Sequence, residues 1–347
     1  MRSLATKYRP RKFEEVVSQD SVKIILQNQL ENEEFKNAYL FCGGAGTGKT
    51  TTARIVAREM NKGKGNPIEI DGASNNGVDN IRDIIENSKS RSLDSKYKVF
   101  IIDEVHMLSI GAFNALLKIL EEPPAGTIFI LCTTDPQKIP ATILSRVQRF
   151  DFKRIPTPKI VERLQYIIEE ENEEMLKYEE PIIYPEYDAL EYIAKLADGG
   201  MRDSITMLDK VLGYSNKITM QTVVEALGVT DYSVYFELLN YLLDSDAMNS
   251  IKLINDAYMN GKDLKLFVKN FTNFLTDQVK YNLSNDINLT TLPHSYLEQL
   301  QDISNTFTND DILVILESFT SITQRIKWET NPKSMLEGEL ILLCLVK

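Results

Sequence analysis

The eight residues GGAGTGKT at positions 43–50 limit what this chain can fold into more than any other feature. They follow a short apolar run, AYLFC (38–42), and open onto a helical stretch, TTARIVAREM (51–60). A strand, a glycine-rich loop and a helix in that order build a cradle for phosphate. Gly43, Gly44, Gly46 and Gly48 let the backbone turn its N–H groups inward, and the helix N-terminus adds the positive end of its dipole. At the end of the loop, Lys49 is placed to reach the β- and γ-phosphates of a nucleotide, and the Thr50 hydroxyl to sit on Mg²⁺. The full pattern in this context leaves little room for a glycine-rich turn that matches by chance.

The surrounding residues fix the fold class. AYLFCG (38–43), NPIEIDG (66–72), YKVFIIDE (97–104) and TIFILCT (127–133) are short, apolar and bounded by turn residues, as buried parallel strands are. Helical stretches over 50–60 and 109–122 lie between them, so an α/β fold with a mostly parallel sheet is expected. FKRIPTPK (152–159), with two prolines, reads as a linker. Beyond it helical periodicity dominates, as in IVERLQYIIEEENEEML and DILVILESFTSITQRI. YEEPIIYPEYD (178–188) breaks the helices, and a further boundary is expected near LGVTDYS (227–233). The reading is a nucleotide-binding domain over 1–155, a small helical domain over 156–228 and an all-helical domain over 229–347.

KVFIIDEVH (98–106) is a buried strand that ends in adjacent carboxylates. Asp103 lies 53 residues beyond Thr50 and suits orientation of a metal through its water shell, while Glu104 suits polarisation of an attacking water. The strand over 127–133 ends in Thr133 and Thr134, where a hydroxyl can meet a γ-phosphate or the lytic water; a strand-capping role would look the same. Arg146, in SRV, is a candidate arginine finger for a neighbouring molecule's nucleotide, although a lone arginine at a helix end is more often a surface ion pair. GGMRDS (199–204) sets Arg202 at a helix start, where it can contact phosphates or pair with Asp198 or Asp203.

Bulk properties exclude several classes. No apolar run reaches the roughly 18–20 residues that span a bilayer. The basic N-terminus lacks the apolar core of a secretory signal, so a cytoplasmic protein with no membrane partner is expected. Cys42, Cys132 and Cys344 are far apart in sequence, with no C-x-x-C pair, and suggest neither a zinc site nor a disulfide framework. The net charge of −11 is uneven: residues 1–150 carry 21 Lys and Arg against 18 Asp and Glu, residues 151–347 carry 18 against 32. Such a chain does not bind DNA through its overall field, and any contact must come from local features of the first 150 residues.

KYRPRKFEEVVSQD (7–20), GGAGTGKTT, EIDGASNNGVDNIRDI (69–84), IIDEVHMLSIGAFNALLKILEEPP (101–124), TTDPQKIPATILSRVQRFDF (133–152) and GGMRDS together resemble the gamma/tau subunits of the bacterial DNA polymerase III clamp loader, which are AAA+ ATPases. The resemblance runs from about residue 4 to residue 230, and from about 231 it continues only in helical character, as a collar domain would. It implies an AAA+ domain followed by a helical lid and a helical oligomerisation collar. It implies nucleotide contacts at Tyr8, Arg9, Pro10 and Val17, and at Gly44, Ala45, Gly46, Thr47, Gly48, Lys49, Thr50 and Thr51 around the phosphates, with ATP and Mg²⁺ as cofactors. Thr134 and Arg202 take the places of the family's two nucleotide sensors, and Arg146 that of the arginine acting in trans. Ser74, Asn75, Asn76 and Arg82 fall where the family tracks the DNA backbone.

The implied function is ATP-driven opening of a ring-shaped sliding clamp and its placement on primer–template DNA. The partners would be delta- and delta-prime-like subunits or further copies of this chain, in a pentamer. Three departures stand out. The four-cysteine zinc module usual after the P-loop helix is replaced by NKGKG (61–65), so no zinc is expected. Val147 stands where the family's Ser-Arg-Cys has cysteine. The chain ends after the collar, so the polymerase-tethering role of the tau extension is not expected. A replication-factor-C-like small subunit is the alternative within the class, and a DExH-type nucleic-acid-dependent ATPase the alternative outside it.

Overall fold

The computed structural model describes residues 3–90, 94–179, 181–229 and 231–345. They pack as two units, one of residues 1–180 with 197–209 and the other of 181–196 with 210–347. The three-domain reading stays a proposal beside this two-way packing.

In the first unit the strands are β1 (Ala38–Gly43), β2 (Ile68–Asp71), β3 (Lys98–Asp103), β4 (Thr127–Thr133) and β5 (Gln148–Phe152). All pair in parallel, in the order β2-β3-β4-β1-β5. The helices are α1 (Leu4–Lys7), α2 (Asp20–Glu31), α3 (Lys49–Met60), α4 (Val78–Lys89), α5 (Ile110–Glu121), α6 (Ala141–Leu144) and α7 (Thr157–Lys177). The four apolar runs read as strands all form strands. The fifth was not anticipated. QRFDF alternates, with Phe150 and Phe152 buried and their neighbours more exposed, because β5 is an edge strand. The linker expected over 152–159 is correspondingly shorter, since Phe152 ends β5 and α7 begins at Thr157.

Successive side chains alternate between two cores. Tyr39, Phe41, Ile101, Ile130 and Phe152 pack with Val22 and Leu26 of α2 and Ile55 and Val56 of α3. Leu40, Phe100, Ile102, Phe129 and Leu131 pack on the opposite face with Ile81 of α4 and Phe113, Leu116 and Ile119 of α5. Fully burying one such side chain contributes about 1.5–3 kcal/mol, so the three central strands are the most firmly held. Covering both faces leaves only the strand ends to carry chemistry.

The second unit holds α8 (Tyr187–Leu196), the end of α9 (Met201–Leu212), α10 (Met220–Leu227), α11 (Tyr232–Leu243), α12 (Ala247–Met259), α13 (Leu264–Ser284), α14 (Leu297–Thr306), α15 (Asn309–Arg325) and α16 (Pro332–Leu345), with a two-residue parallel pair, β6 (Tyr184–Pro185) and β7 (Lys217–Ile218). Its core is aromatic: α13 buries Phe267, Phe271 and Phe274 at helical spacing against Tyr235, Phe236 and Phe319.

Candidate active site

Parallel pairing of β3, β4 and β1 brings their C-terminal ends to one edge of the sheet. The glycine-rich loop leaves β1 there, Asp103 and Glu104 end β3, and Thr133 and Thr134 end β4. Gly43 (φ +151) is required by close approach, since a Cβ on it would lie 2.4 Å from the Phe152 carbonyl oxygen of β5. Gly46 (φ +69) is left-handed, and a Cβ there would lie 2.9 Å from the Gly200 Cα. The Met201 amide donates to the Gly46 carbonyl at 3.0 Å, which brings the start of α9, and with it Arg202, to the loop.

Lys49 is 6% exposed. Its ammonium donates to the carbonyl oxygens of Gly43 (2.9 Å) and Gly44 (2.8 Å), and burial lowers its pKa. A desolvated cation held only by carbonyls gains from an anion, as a phosphate ligand would require. The Thr50 hydroxyl donates to Asp103 Oδ2 at 2.7 Å. A hydroxyl and a carboxylate this close are the hard oxygen donors that Mg²⁺ takes.

These groups line a cleft of about 680 Å³. Tyr8, Arg9, Pro10, Val17, residues 45–51, Asp103, Glu104 and Arg202 all border it; Gly44 does not, and serves as an acceptor behind Lys49. Arg9 donates from Nε to Thr51 Oγ1 at 3.2 Å, and burial, then the charge of Arg54, lowers its pKa. The Tyr8 hydroxyl donates to Glu171 of α7 at 2.6 Å; burial first, and Glu171 second, raise its pKa. Glu171 is 5% exposed and also pairs with Lys7 at 2.7 Å.

Glu104 sits in left-handed backbone at φ +47, a strained state for a residue other than glycine that costs about 1–2 kcal/mol. Gly72 makes room for it: a Cβ there would lie 2.8 Å from the carbonyl oxygens of Asp103 and Glu104. The kink turns the Glu104 carboxylate to Thr134, which donates to Oε2 from its hydroxyl at 2.9 Å and its amide at 3.3 Å.

Other expected residues lie elsewhere. Arg146 does not line the cleft; it pairs with Glu121 of α5 at 2.6 Å and donates to the Thr142 carbonyl at 2.7 Å. Ser74 and Asn75 close a turn on Asp71, with 2.6 Å from Ser74 Oγ to Asp71 Oδ2 and 3.0 Å from Asn75 Nδ2 to the Asp71 carbonyl. The Asn76 carbonyl accepts from the Ser109 amide at 3.1 Å, and Arg82 pairs with Asp79 at 3.0 Å on the exposed start of α4. Cys42, Cys132 and Cys344 are free and buried. Among the described residues no group of three or more His, Cys, Asp or Glu side chains is arranged to hold a metal ion, and no helix is long and apolar enough to cross a membrane.

Gln19 escaped the sequence reading. It is 7% exposed with left-handed backbone, and donates to the carbonyls of Thr47 (3.3 Å) and Lys153 (2.7 Å) while accepting from the Lys153 amide (3.0 Å). It thus ties the phosphate loop to the end of β5. A single glutamine between unremarkable neighbours gives no local signal for this.

A phosphate loop, a strand-end carboxylate pair and a polar strand end, on one edge of this five-stranded sheet, define a P-loop protein of the AAA+ class. The RuvB Holliday junction branch migration motor of Thermotoga maritima has the same fold, with a TM-score of 0.50 at 20% identity over 74% of this chain and 86% of its own. The family described as DNA polymerase III subunits gamma and tau domain III matches residues 218–347, and that described as DNA polymerase III, delta subunit matches 66–156. The DNA polymerase III subunit tau of Bacillus subtilis is 37% identical over 97% of this chain and 62% of its own length. The gamma/tau subunit of Mycoplasma genitalium is 34% identical over 82% and 50%, and the tau subunit of Escherichia coli 36% over 74% and 42%. The chain belongs to the DNA polymerase III gamma/tau family. It spans between two fifths and two thirds of the length of these relatives.

Proposed function

We propose that this chain is an ATP-hydrolysing subunit of a DNA sliding-clamp loader, a cytoplasmic assembly that opens a ring-shaped clamp and sets it on primer–template DNA. The observation that carries the reading is the joint placement of Lys49, Thr50, Asp103, Glu104 and Arg202 around one cleft. Lys49 and the loop amides would bind the phosphates of ATP, and Thr50 and Asp103 would hold Mg²⁺. The ion, when bound, would neutralise negative charge on the phosphates. Glu104 would orient the attacking water, while Thr134 and Arg202 would read the terminal phosphate. Tyr8, Arg9, Pro10 and Val17 would enclose the nucleoside. Ser74, Asn75, Asn76 and Arg82 would follow the DNA backbone, which suits the exposed position of Ser74, Asn76 and Arg82 and the partial exposure of Asn75 but requires Arg82 to leave Asp79. No zinc is needed by any of these roles, and elemental analysis of the purified protein should find none in stoichiometric amount.

Arg146, outside its own cleft, would serve the nucleotide of an adjacent subunit, either another copy or a delta- or delta-prime-like chain in a pentamer. Arg146→Ala should leave nucleotide binding intact and slow hydrolysis in the assembly; a trans arginine contributes about 10³–10⁵ elsewhere, and less is expected where several sites share the work. Mixing Arg146→Ala chains with Glu104→Gln chains is the discriminating assay. Activity that neither variant has alone should return, because some interfaces then pair an intact arginine with an intact acid. No recovery would mean that Arg146 acts only within its own chain.

A further inference from the structure

Glu104 is gripped from one side. The Thr134 hydroxyl (2.9 Å), the Thr134 amide (3.3 Å) and His106 Nδ1 (3.2 Å) all meet Oε2, and among the described residues no donor reaches Oε1. The His106 side chain is only 10% exposed, against 37% for Glu104. It is set there by the short 3₁₀ turn Val105–Met107 that follows the left-handed kink, with Val105 fully buried beneath. His106 Nδ1 also lies 3.1 Å from Thr133 Oγ1, which accepts from the Asp135 amide at 3.0 Å.

We propose that His106 is a positioning residue for Glu104, and that its Nδ1–H keeps the carboxylate aimed when the Thr134 hydroxyl turns to the terminal phosphate of the nucleotide. The inference rests on the hydrolysis reading above. His106 Nδ1 makes its hydrogen bond with Thr133 Oγ1 and lies 3.2 Å from Oε2 without bonding it; with the proton on Nδ1, a small turn of the ring swings that bond from Thr133 onto the carboxylate. A hydroxyl has a single proton to donate. Thr134 therefore donates to Glu104 or to a phosphate oxygen, not to both. Once it turns away, His106 is, among the described residues, the remaining side-chain donor within reach of Oε2, and Oε1 stays open to a water. Without the imidazole, a carboxylate on strained backbone loses its orientation at the moment it is needed.

Two measurements test this. His106 and His294 are the only histidines, so ¹⁵N labelling of histidine side chains gives two sets of ring resonances, assigned with a His294→Gln chain. His106 Nδ1 is expected to be protonated, and its resonance to shift in Glu104→Gln. A bare Nδ1 would overturn the proposal. In the chain assembled with the partners that copurify with it, His106→Ala should lower kcat by about ten- to hundredfold, the effect of losing a hydrogen bond to a charged group, with nucleotide Kd unchanged. His106→Asn, whose amide can replace the Nδ1–H, should recover most of that loss. Asn as slow as Ala, or a Kd that weakens in step with kcat, would reduce His106 to a packing residue. A wild-type assembly no faster than one carrying Glu104→Gln would sink the hydrolysis reading itself, and the role of His106 in it, whichever tautomer is seen.

Discussion

The two units bury polar groups for opposite purposes. In the second, Glu191 is 5% exposed and satisfied within the protein: Oε1 accepts from Lys195 at 3.1 Å and His294 Nδ1 at 2.9 Å, and Oε2 from the His294 amide at 3.2 Å. Asp277, 2% exposed, accepts from the Thr291 amide and hydroxyl and from Lys280. Both carboxylates pin the stretch 290–294 to helices. In the first unit, Lys49 is as deeply buried but leans on loop carbonyls beside an open cleft, and Glu104 keeps one oxygen free on strained backbone. A buried polar group whose partners are all internal holds a fold together. One left short of partners at a cleft awaits a ligand.

That contrast breaks down most visibly if the second unit is not held by its own core. Phe271 is fully buried and meets Phe319 edge-on at 4.6 Å. Phe271→Ala should cost the second unit about 3–5 kcal/mol by denaturant melts, and move nucleotide affinity by less than about twofold, as expected for residues that share no partner. A large loss of affinity would mean that the aromatic core of the second unit also supports the nucleotide site.

A smaller effect sharpens the comparison. Burial is the largest influence on the Glu191 carboxyl and pushes its pKa up, yet Lys195 and His294 together outweigh it and hold the group below the usual carboxylate range. A depressed folded value means that the ionised group stabilises the fold above the unfolded pKa of about 4.3, and that this is lost as pH falls through the folded value. Glu191→Gln should cost about 2–3 kcal/mol at pH 7, as it weakens the hold on a buried lysine. The gap to wild type should close in melts taken progressively below about pH 4. A gap constant down to pH 3 would make the loss one of packing.

The smallest effect belongs to the first unit. Ser109 caps α5 by accepting from the Ala112 amide at 3.2 Å. Ser109→Ala should cost about 1 kcal/mol without change in nucleotide affinity, since the cap faces no phosphate-binding group. A fall in affinity would extend the site to the start of α5.

What was legible in the sequence follows the range of the interactions. β1, β3 and β4 announce themselves because central parallel strands are apolar on both faces, whereas β5 alternates and hides beside prolines. The phosphate loop and Asp103–Glu104 are local patterns, so residue type and spacing were enough. The Tyr8–Glu171 contact joins residues 163 apart, and Gln19 reaches Lys153 across 134, with no local trace of either. Arg146 could be singled out as a cation but not matched to Glu121, since ion-pair choice depends on how α5 and α6 pack. His106 read as a residue of the DEVH string, and its contact with Glu104 emerged only from the left-handed turn between them.

The central claim is that the sheet edge at the end of β1 and β3 binds Mg²⁺–nucleotide through Lys49. Titration calorimetry of the purified chain with ATP and Mg²⁺ tests it most directly. Wild type should bind one nucleotide per chain. Glu104→Gln should bind with similar affinity, and Lys49→Ala should lose at least about a hundredfold, the effect of removing a buried ammonium that bonds two phosphates. Equal affinity in wild type and Lys49→Ala would place the nucleotide elsewhere and contradict the account.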